Sequence, residues 1–432
     1  MRQALRGLTT RGRSFLAAAA AAALSALLLG EKDLLRVALL LLLLPLLGAV
    51  TVARTRYRLT CQRELRPGQI PVGATAQVVL RLRNLSRFPT GTVLLEDRLP
   101  YALGSRPRLV VERLRPQQPS SVVYTVRADV RGRYEIGPLM LRVTDPFGLC
   151  EMVRAFPVVD RLTVIPKVSP LPPIRLTGEY TGSGDSRARS VAVHGEDDTA
   201  TREYRHGDDL RRVHWRSTAR VGELMVRREE QPWESRATLL LDTREAAHRG
   251  EGPASSFEWA VAAAASIAMH LRQAGYKLRV VTDETELEIT DAAGEGVLLE
   301  RLAEIRLQSR SDLTGLVDHA RHAGAGGLIV GIVGLLTPAE SEQLTRLNIA
   351  GATCVAFAVD STTWLQLPDE QRTALLQPHQ SATTALLRSG WRVIDVSYGA
   401  RLVSLWPLVA ANGGSGSAYR TAMAETVAHG RP

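Results

Sequence analysis

The densest run of chemistry-bearing side chains is Arg202-Glu203-Tyr204-Arg205-His206-Gly207-Asp208-Asp209-Leu210-Arg211-Arg212-Val213-His214-Trp215-Arg216-Ser217-Thr218-Ala219-Arg220, continuing as Val221-Gly222-Glu223-Leu224-Met225-Val226-Arg227-Arg228. Three chemistries compete for it. Metal-assisted hydrolysis would use Asp208, Asp209 and His214, with Asp242 further on. His206 and His214 are eight apart with a helix start between them, which is no standard ligand spacing. Binding to nucleic acid or anionic lipid would use the arginines at 202, 205, 211, 212, 216, 220, 227 and 228. Glu203, Asp208, Asp209 and Glu223 interleave with these, which favours internal ion pairs over a phosphate surface. The third reading is an arginine–carboxylate network that fixes the segment against a neighbouring domain or partner, a task suited to the planar guanidinium fork. His214 and Trp215 then pack and hydrogen-bond instead of catalysing. Docking or structural use is the reading adopted here.

The elements that would position these residues follow from local chemistry. Gly207-Asp208 reads as a turn and N-cap, and Asp209 suits the first turn of a helix. That helix is expected to reach about Ser217, with Leu210, Val213 and His214 on one face. Gly222 opens a turn into a strand over Glu223–Arg228. Beyond it, residues 236–410 alternate strand and helix. Strands are expected at Arg236–Asp242, Lys277–Thr282, Leu328–Leu335, Cys354–Val359 and Trp391–Val396. Ser255 or Ser256 caps a helix to Ala274, and Thr337-Pro338 opens another. The order implies a parallel, doubly wound α/β sheet. Ligands bind such sheets beyond the strand C-termini, where Asp242 stands.

The run from Arg202 to Arg220, with Arg202, Tyr204, Arg205, Gly207, Asp208, Asp209, Arg211, Arg212, His214, Trp215, Ser217, Ala219 and Arg220 in register, resembles the signature of the bacterial "domain of unknown function 58" family. Asp145-Pro146-Phe147-Gly148-Leu149 and a paired N-terminal membrane helix also resemble these proteins, whereas His206 stands where proline is expected. The resemblance implies a membrane-anchored protein with a von Willebrand factor A-like domain. It further implies a MoxR-type AAA+ ATPase as partner, with a transglutaminase-like membrane protein as another, and it brings no reaction. Metal-binding domains of that type end their first strand in Asp-x-Ser-x-Ser, oxygen ligands for a hard cation. Here the segment is Asp242-Thr243-Arg244-Glu245-Ala246, and the LIVGIVG strand ends in Gly334. The expectation is therefore no metal, with Asp242 paired to Arg244 or capping the turn. No cofactor is expected either. No Walker A sequence occurs, and the glycine clusters at 182–184 and 324–327 lack a strand–GxGxxG–helix setting.

At the N-terminus, Ser14–Gly30 and Val37–Ala53 are uncharged apolar runs of 17 residues each, at the short end of the roughly 17–25 that span a bilayer. Glu31-Lys32-Asp33 is expected as their loop. A signal peptide is the rival reading, but a second apolar run follows at once and no small-x-small cleavage site is evident. Arg2, Arg6, Arg11 and Arg13 precede the pair, and Arg54, Arg56 and Arg58 follow it. The positive-inside rule then places both ends, and the soluble domains, on the cytoplasmic side of the plasma membrane. The separated Cys61, Cys150 and Cys354 fit that reducing side and exclude a disulfide scaffold. From 55 to 165 short alternating runs with turn clusters suggest six or seven strands of an antiparallel immunoglobulin-like sandwich.

The chain of 432 residues, 45% hydrophobic and 23% charged, is thus expected to be multidomain. A basic N-terminus (1–13) leads into a transmembrane α-hairpin (14–54) and a β-sandwich (55–165). A linker with the charged motif (166–235), a von Willebrand A-like α/β domain (236–410) and a disordered tail (411–432) complete the chain.

Overall fold

The computed structural model describes residues 7–55, 59–87, 92–112, 114–145, 147–174, 201–204, 213–227, 236–310, 312–322, 327–348 and 352–410. The apolar runs form α1 (Thr10–Leu29) and α2 (Lys32–Thr55). Thr9 caps α1 by accepting the Gly12 N–H, and Gly30 ends it at φ +70°, a left-handed conformation that glycine adopts without a Cβ clash. Only Gly30 and Glu31 separate the helices. Lys32 and Asp33, expected in the loop, instead open α2, where Asp33 complements the helix dipole. Both helices are long and apolar enough to cross a membrane, and Leu27 and Leu28 are each 78% exposed.

Ten strands follow: β1 (Leu59–Arg66), β2 (Gln69–Pro71), β3 (Thr75–Asn84), β4 (Val93–Asp97), β5 (Arg108–Val111), β6 (Pro119–Arg127), β7 (Gly132–Ile136), β8 (Leu139–Thr144), β9 (Glu151–Phe156) and β10 (Asp160–Ile165). They form three sheets, ordered β1-β3-β6, β2-β10-β7 and β5-β4-β8-β9. The expectation of six or seven strands, all antiparallel, needs correcting on two points. Arg133–Val143, read as one run, is two strands: Gly137 at φ +122° breaks it, and Pro138 has no N–H for the ladder. The pair β10–β2 is parallel. Alternation still does its work, because Val78, Leu80 and Leu82 of β3 share one core with Val93, Leu95, Leu141, Val143, Leu162 and Val164 from the other two sheets.

A buried ion network crosses that core. Arg63 on β1 grips Asp97 on β4 with two bonds, Nε–Oδ2 at 3.0 Å and Nη2–Oδ1 at 2.6 Å. Its Nη1 also donates to the Ile136 carbonyl at 2.9 Å and to Asp160 at 3.0 Å. The Tyr124 hydroxyl on β6 donates to Asp97 at 2.6 Å. All three sheets are joined in this way.

The remaining elements are β11 (Thr201–Glu203), α3 (Trp215–Val221), β12 (Met225–Arg227), β13 (Arg236–Leu241), α4 (Ser256–Gln273), β14 (Lys277–Val281), β15 (Glu286–Ile289), α5 (Ala292–Glu304), α6 (Thr314–His322), β16 (Gly327–Val333), α7 (Pro338–Thr345), β17 (Ala352–Val359), α8 (Asp369–Arg388), β18 (Arg392–Val396) and α9 (Leu402–Leu405). Six strands form one sheet ordered β15-β14-β13-β16-β17-β18. All its pairs are parallel except β14–β15. The chain winds outward from β13 in one direction and then from β16 in the other, so the strand order reverses between them, which is where open α/β sheets bind ligands. On one face of the sheet Leu240, Val281, Val333 and Ala356 pack with Leu316 of α6 and Leu386 of α8 in one core.

By contact the chain divides into two compact units. Met1–Val168, Gly250–Ala265 and Ala292–Leu307 form the first; Ser169–Arg249, Ser266–Asp291 and Gln308–Pro432 form the second. In the first unit Arg131, between β6 and β7, is buried. It donates to the Leu302 and Ile305 carbonyls at the end of α5, at 2.9 and 2.6 Å, and pairs with Glu258. A cation near the last carbonyls of a helix is favourable.

Candidate functional site

The charged motif is a short ribbon that carries a helix. β11 and β12 pair antiparallel, with Arg202 opposite Val226, and Val213 bridges to Val226 from the other side. Tyr204 N–H donates to Leu224 O at 2.8 Å, and His214 N–H donates to Met225 O at 2.8 Å. Val213 and His214 are therefore ribbon residues, which corrects the expectation that they share a helix face with Leu210 in a helix ending near Ser217. The helix α3 starts at Trp215, with His214 as its N-cap at φ −89°, ψ 88°, and runs on to Val221. The His214 ring explains the shift. Its Nδ1 accepts the Ser217 N–H at 3.3 Å and lies 2.8 Å from the Ser217 hydroxyl, satisfying one amide left open at the helix start. Gly222 closes the helix at φ +87°, donating to Thr218 O.

No residue of α3 is buried, and Trp215 is 70% exposed. Seven residues cannot persist as an isolated helix in water. The ribbon and the His214 cap hold it, and a bond from Met225 N–H to Thr218 Oγ1 at 3.0 Å adds to them. The turn thus presents Trp215, Arg216, Ala219 and Arg220 to solvent. Of the predicted site residues, Arg205, Gly207, Asp208, Asp209, Arg211 and Arg212 lie outside the described residues, as does His206. Arg202 and Tyr204 stand on or beside β11, and His214, Trp215, Ser217, Ala219 and Arg220 on or beside α3.

A second constellation sits where the sheet order reverses. Asp242, fully buried, follows β13. Its Oδ1 accepts from Arg244 Nε at 2.9 Å and from Arg244 N–H at 3.0 Å. Its Oδ2 accepts from Arg244 Nη2 at 2.7 Å and from Gly334 N–H at 3.0 Å. Arg244 Nη1 reaches Glu340, whose other oxygen accepts the Thr337 N–H at 2.7 Å in a capping box on α7. His248 Nε2 is 3.1 Å from the Asp242 carbonyl. Asp283, after β14, accepts from Thr243 Oγ1 at 3.2 Å and from Leu316 N–H at 3.1 Å.

The electrostatics follow from this packing. Burial alone would raise the Asp242 carboxyl, but the charge and hydrogen bonds of Arg244 outweigh it and hold the group below the usual carboxylate range. Burial pushes Asp283 up, and the nearby Asp242 charge adds to the rise. Burial pushes His248 down, so its ring stays neutral. The guanidinium therefore lies at the carboxylate where a ligand cation would otherwise be drawn, and both oxygens of Asp242 are engaged. Among the described residues no group of three or more His, Cys, Asp or Glu side chains is placed to hold a metal ion.

Sequence reasoning missed Glu340 as the third member of this network, since it lies 96 positions from Arg244 and reads locally as a helix cap. It also left Gly334 unexplained. A Cβ there would come 2.5 Å from the Ala247 carbonyl oxygen, so the turn carrying Glu245–Ala247 closes on the end of β16 only over a glycine.

Residues 200–394 match the family model described as "Protein of unknown function DUF58". No curated protein matches the sequence. Among solved structures, the CARDB domain of the PF1109 protein from Pyrococcus furiosus is 12% identical over 24% of this chain and 91% of its own, with a TM-score of 0.18. A FixG-related protein from Vibrio parahaemolyticus is 12% identical over 24% and 94%, with a TM-score of 0.17. A non-cellulosomal cohesin from Archaeoglobus fulgidus is 13% identical over 25% and 91%, with a TM-score of 0.19. Likenesses this low carry no argument about fold or function.

Proposed function

Starting from a chain that belongs, over residues 200–394, to the DUF58 family, we propose a membrane-tethered cytosolic adaptor. In this reading α1 and α2 are a transmembrane hairpin with both ends in the cytoplasm, β1–β10 form an immunoglobulin-like sandwich, and β13–β18 form a von Willebrand A-like domain. The strand order β15-β14-β13-β16-β17-β18 with one antiparallel edge supports the last assignment. The partner is a MoxR-type AAA+ ATPase acting on a membrane or cell-envelope complex, with a transglutaminase-like membrane protein as a further companion.

The observation that carries the docking role is the exposed Trp215 on a braced turn of helix, flanked by Arg216 and Arg220. Tryptophan and arginine dominate the residues whose truncation costs interfaces most. Two of the groups that hydrolysis would use have other partners, since His214 caps α3 and Asp242 accepts from Arg244 and Gly334, while Asp208 and Asp209 lie outside the described residues.

The test is co-expression with the MoxR-type ATPase of the same genome, capture in mild detergent with chelator present, and a binding titration. Wild type should hold the ATPase. Trp215→Ala, exposed and so without effect on thermal unfolding, should weaken binding by roughly 30-fold, the equivalent of about 2 kcal/mol. Equal binding by the two proteins would remove α3 as the docking face.

A further inference from the structure

The turn Asp145-Pro146-Phe147-Gly148-Leu149 joins β8 to β9 and has no part in the docking reading. It is rigid. Asp145 is buried, its Oδ1 accepts the Cys150 N–H at 2.6 Å and its Oδ2 accepts the Phe147 N–H at 3.2 Å. Gly148 N–H donates to the Asp145 carbonyl at 3.0 Å, with Gly148 at φ +68°.

The turn also sits directly on the apolar hairpin. Thr9 N–H donates to the Leu149 carbonyl at 2.9 Å, and Thr9 Oγ1 donates to the Gly148 carbonyl at 2.7 Å. Glu151 N–H donates to the Gly7 carbonyl at 2.6 Å, and Cys150 Sγ to the Pro45 carbonyl at 3.4 Å. Two glycines admit the seat. A Cβ on Gly12 would collide with the Leu149 carbonyl, and one on Gly48 would lie 2.9 Å from Asp145 Oδ2.

The level of this seat along α1 is marked by charge. Gly12 lies between Arg11 and Arg13, and Arg11 Nη1 is 3.8 Å from where a Gly148 Cβ would stand. Arginines flanking an apolar span settle among lipid headgroups. On the same turn Phe147 is 60% exposed, an apolar ring one residue from the Gly148 that faces Arg11, and burying such a ring in an apolar layer is favourable.

We propose that the 145–149 turn is the membrane-contacting edge of the β-rich unit, clipped to α1 and α2 at Thr9, Gly12 and Gly48 and laying Phe147 into the headgroup layer beside Arg11 and Arg13. The occupant of this surface is the bilayer in which the hairpin sits, so the proposal rests on reading α1 and α2 as membrane-spanning.

The experiment uses the full chain in vesicles of phosphatidylethanolamine and phosphatidylglycerol. A Cys61→Ser background removes the half-buried thiol; Cys150 and Cys354 are buried. A nitroxide is attached at Phe147→Cys or, as an aqueous reference, at Tyr101→Cys, a position 99% exposed in the wild type. Collision with oxygen, which concentrates in lipid, is compared with collision with a water-soluble nickel chelate. The label at 147 should favour oxygen, with the ratio reversed at 101. A chelate-dominated label at 147 would overturn the proposal. Alkaline carbonate extraction separates the two failures. Wild type retained in the pellet with a water-facing 147 sinks the turn alone, whereas wild type released into the supernatant sinks the spanning hairpin beneath it.

Discussion

Two buried arginine–aspartate pairs of the same quality serve different ends in the two folded regions. Arg63–Asp97 and Arg244–Asp242 are both bidentate, with arginine side chains 3% exposed and aspartates fully buried. Arg63 finds its partners on β4, β10 and the end of β7, each far along the chain, and so fixes how three sheets meet. Arg244 finds Asp242 two residues away and closes the crevice where the strand order of the α/β sheet reverses. One network ties together three sheets that also share an apolar core. The other fills a place that such sheets commonly leave to a ligand. The central pair is distant in the first network and local in the second, although Arg244 also reaches Glu340, 96 positions away.

That contrast can be broken, beginning with the largest effect. Arg63→Met should cost about 3–5 kcal/mol, the usual consequence of leaving a buried charge without its partner. Hydrogen exchange should rise across β1, β4, β6 and β10 together, and a rise confined to β1 would show that the network does not join the sheets. Arg244→Met should fall at the lower end of the same range, about 3 kcal/mol, because Asp242 keeps the amides of Gly334 and residue 244. Exchange should rise mainly over 242–248 and 334–340. A loss as broad as that of Arg63→Met would erase the distinction.

The smallest effect comes from acid. Burial lowers His248, His270 and His379 below the ordinary value. The folded chain therefore holds neutral rings while the unfolded chain takes up protons. Stability from these groups is complete above about pH 6.5 and is lost as pH falls from there toward the lowered values. Residues 59–165 contain no histidine, so peptides from β13–β18 should loosen between about pH 7 and pH 5 while those from β1–β10 hold. Equal loosening in both regions would show that carboxylates govern the response.

What the sequence made legible follows the same division between local and distant. The Asp242–Arg244 pair, the Thr337-Pro338 start and the parallel strands could be read because each signal lies within a few residues. Glu340 could not be assigned to Arg244, since its local role as a capping glutamate already accounts for it. Nor could the grouping of 250–265 and 292–307 with the β-rich region be read, because it arises from residues such as Arg131 reaching α5 across some 170 positions. The charged motif misled for another reason. An aspartate after glycine is the commoner N-cap, whereas this chain caps α3 with an imidazole nitrogen, and only the Ser217 amide three residues on marks it.

Arg244 also bears on how the protein responds to its surroundings. Being covalently attached, the guanidinium stands beside Asp242 at an effective concentration that no dissolved ion matches. It cannot be chelated, diluted or exchanged when magnesium or calcium levels change. At this one carboxylate, a change in mineral supply leaves the neighbouring positive charge where it was.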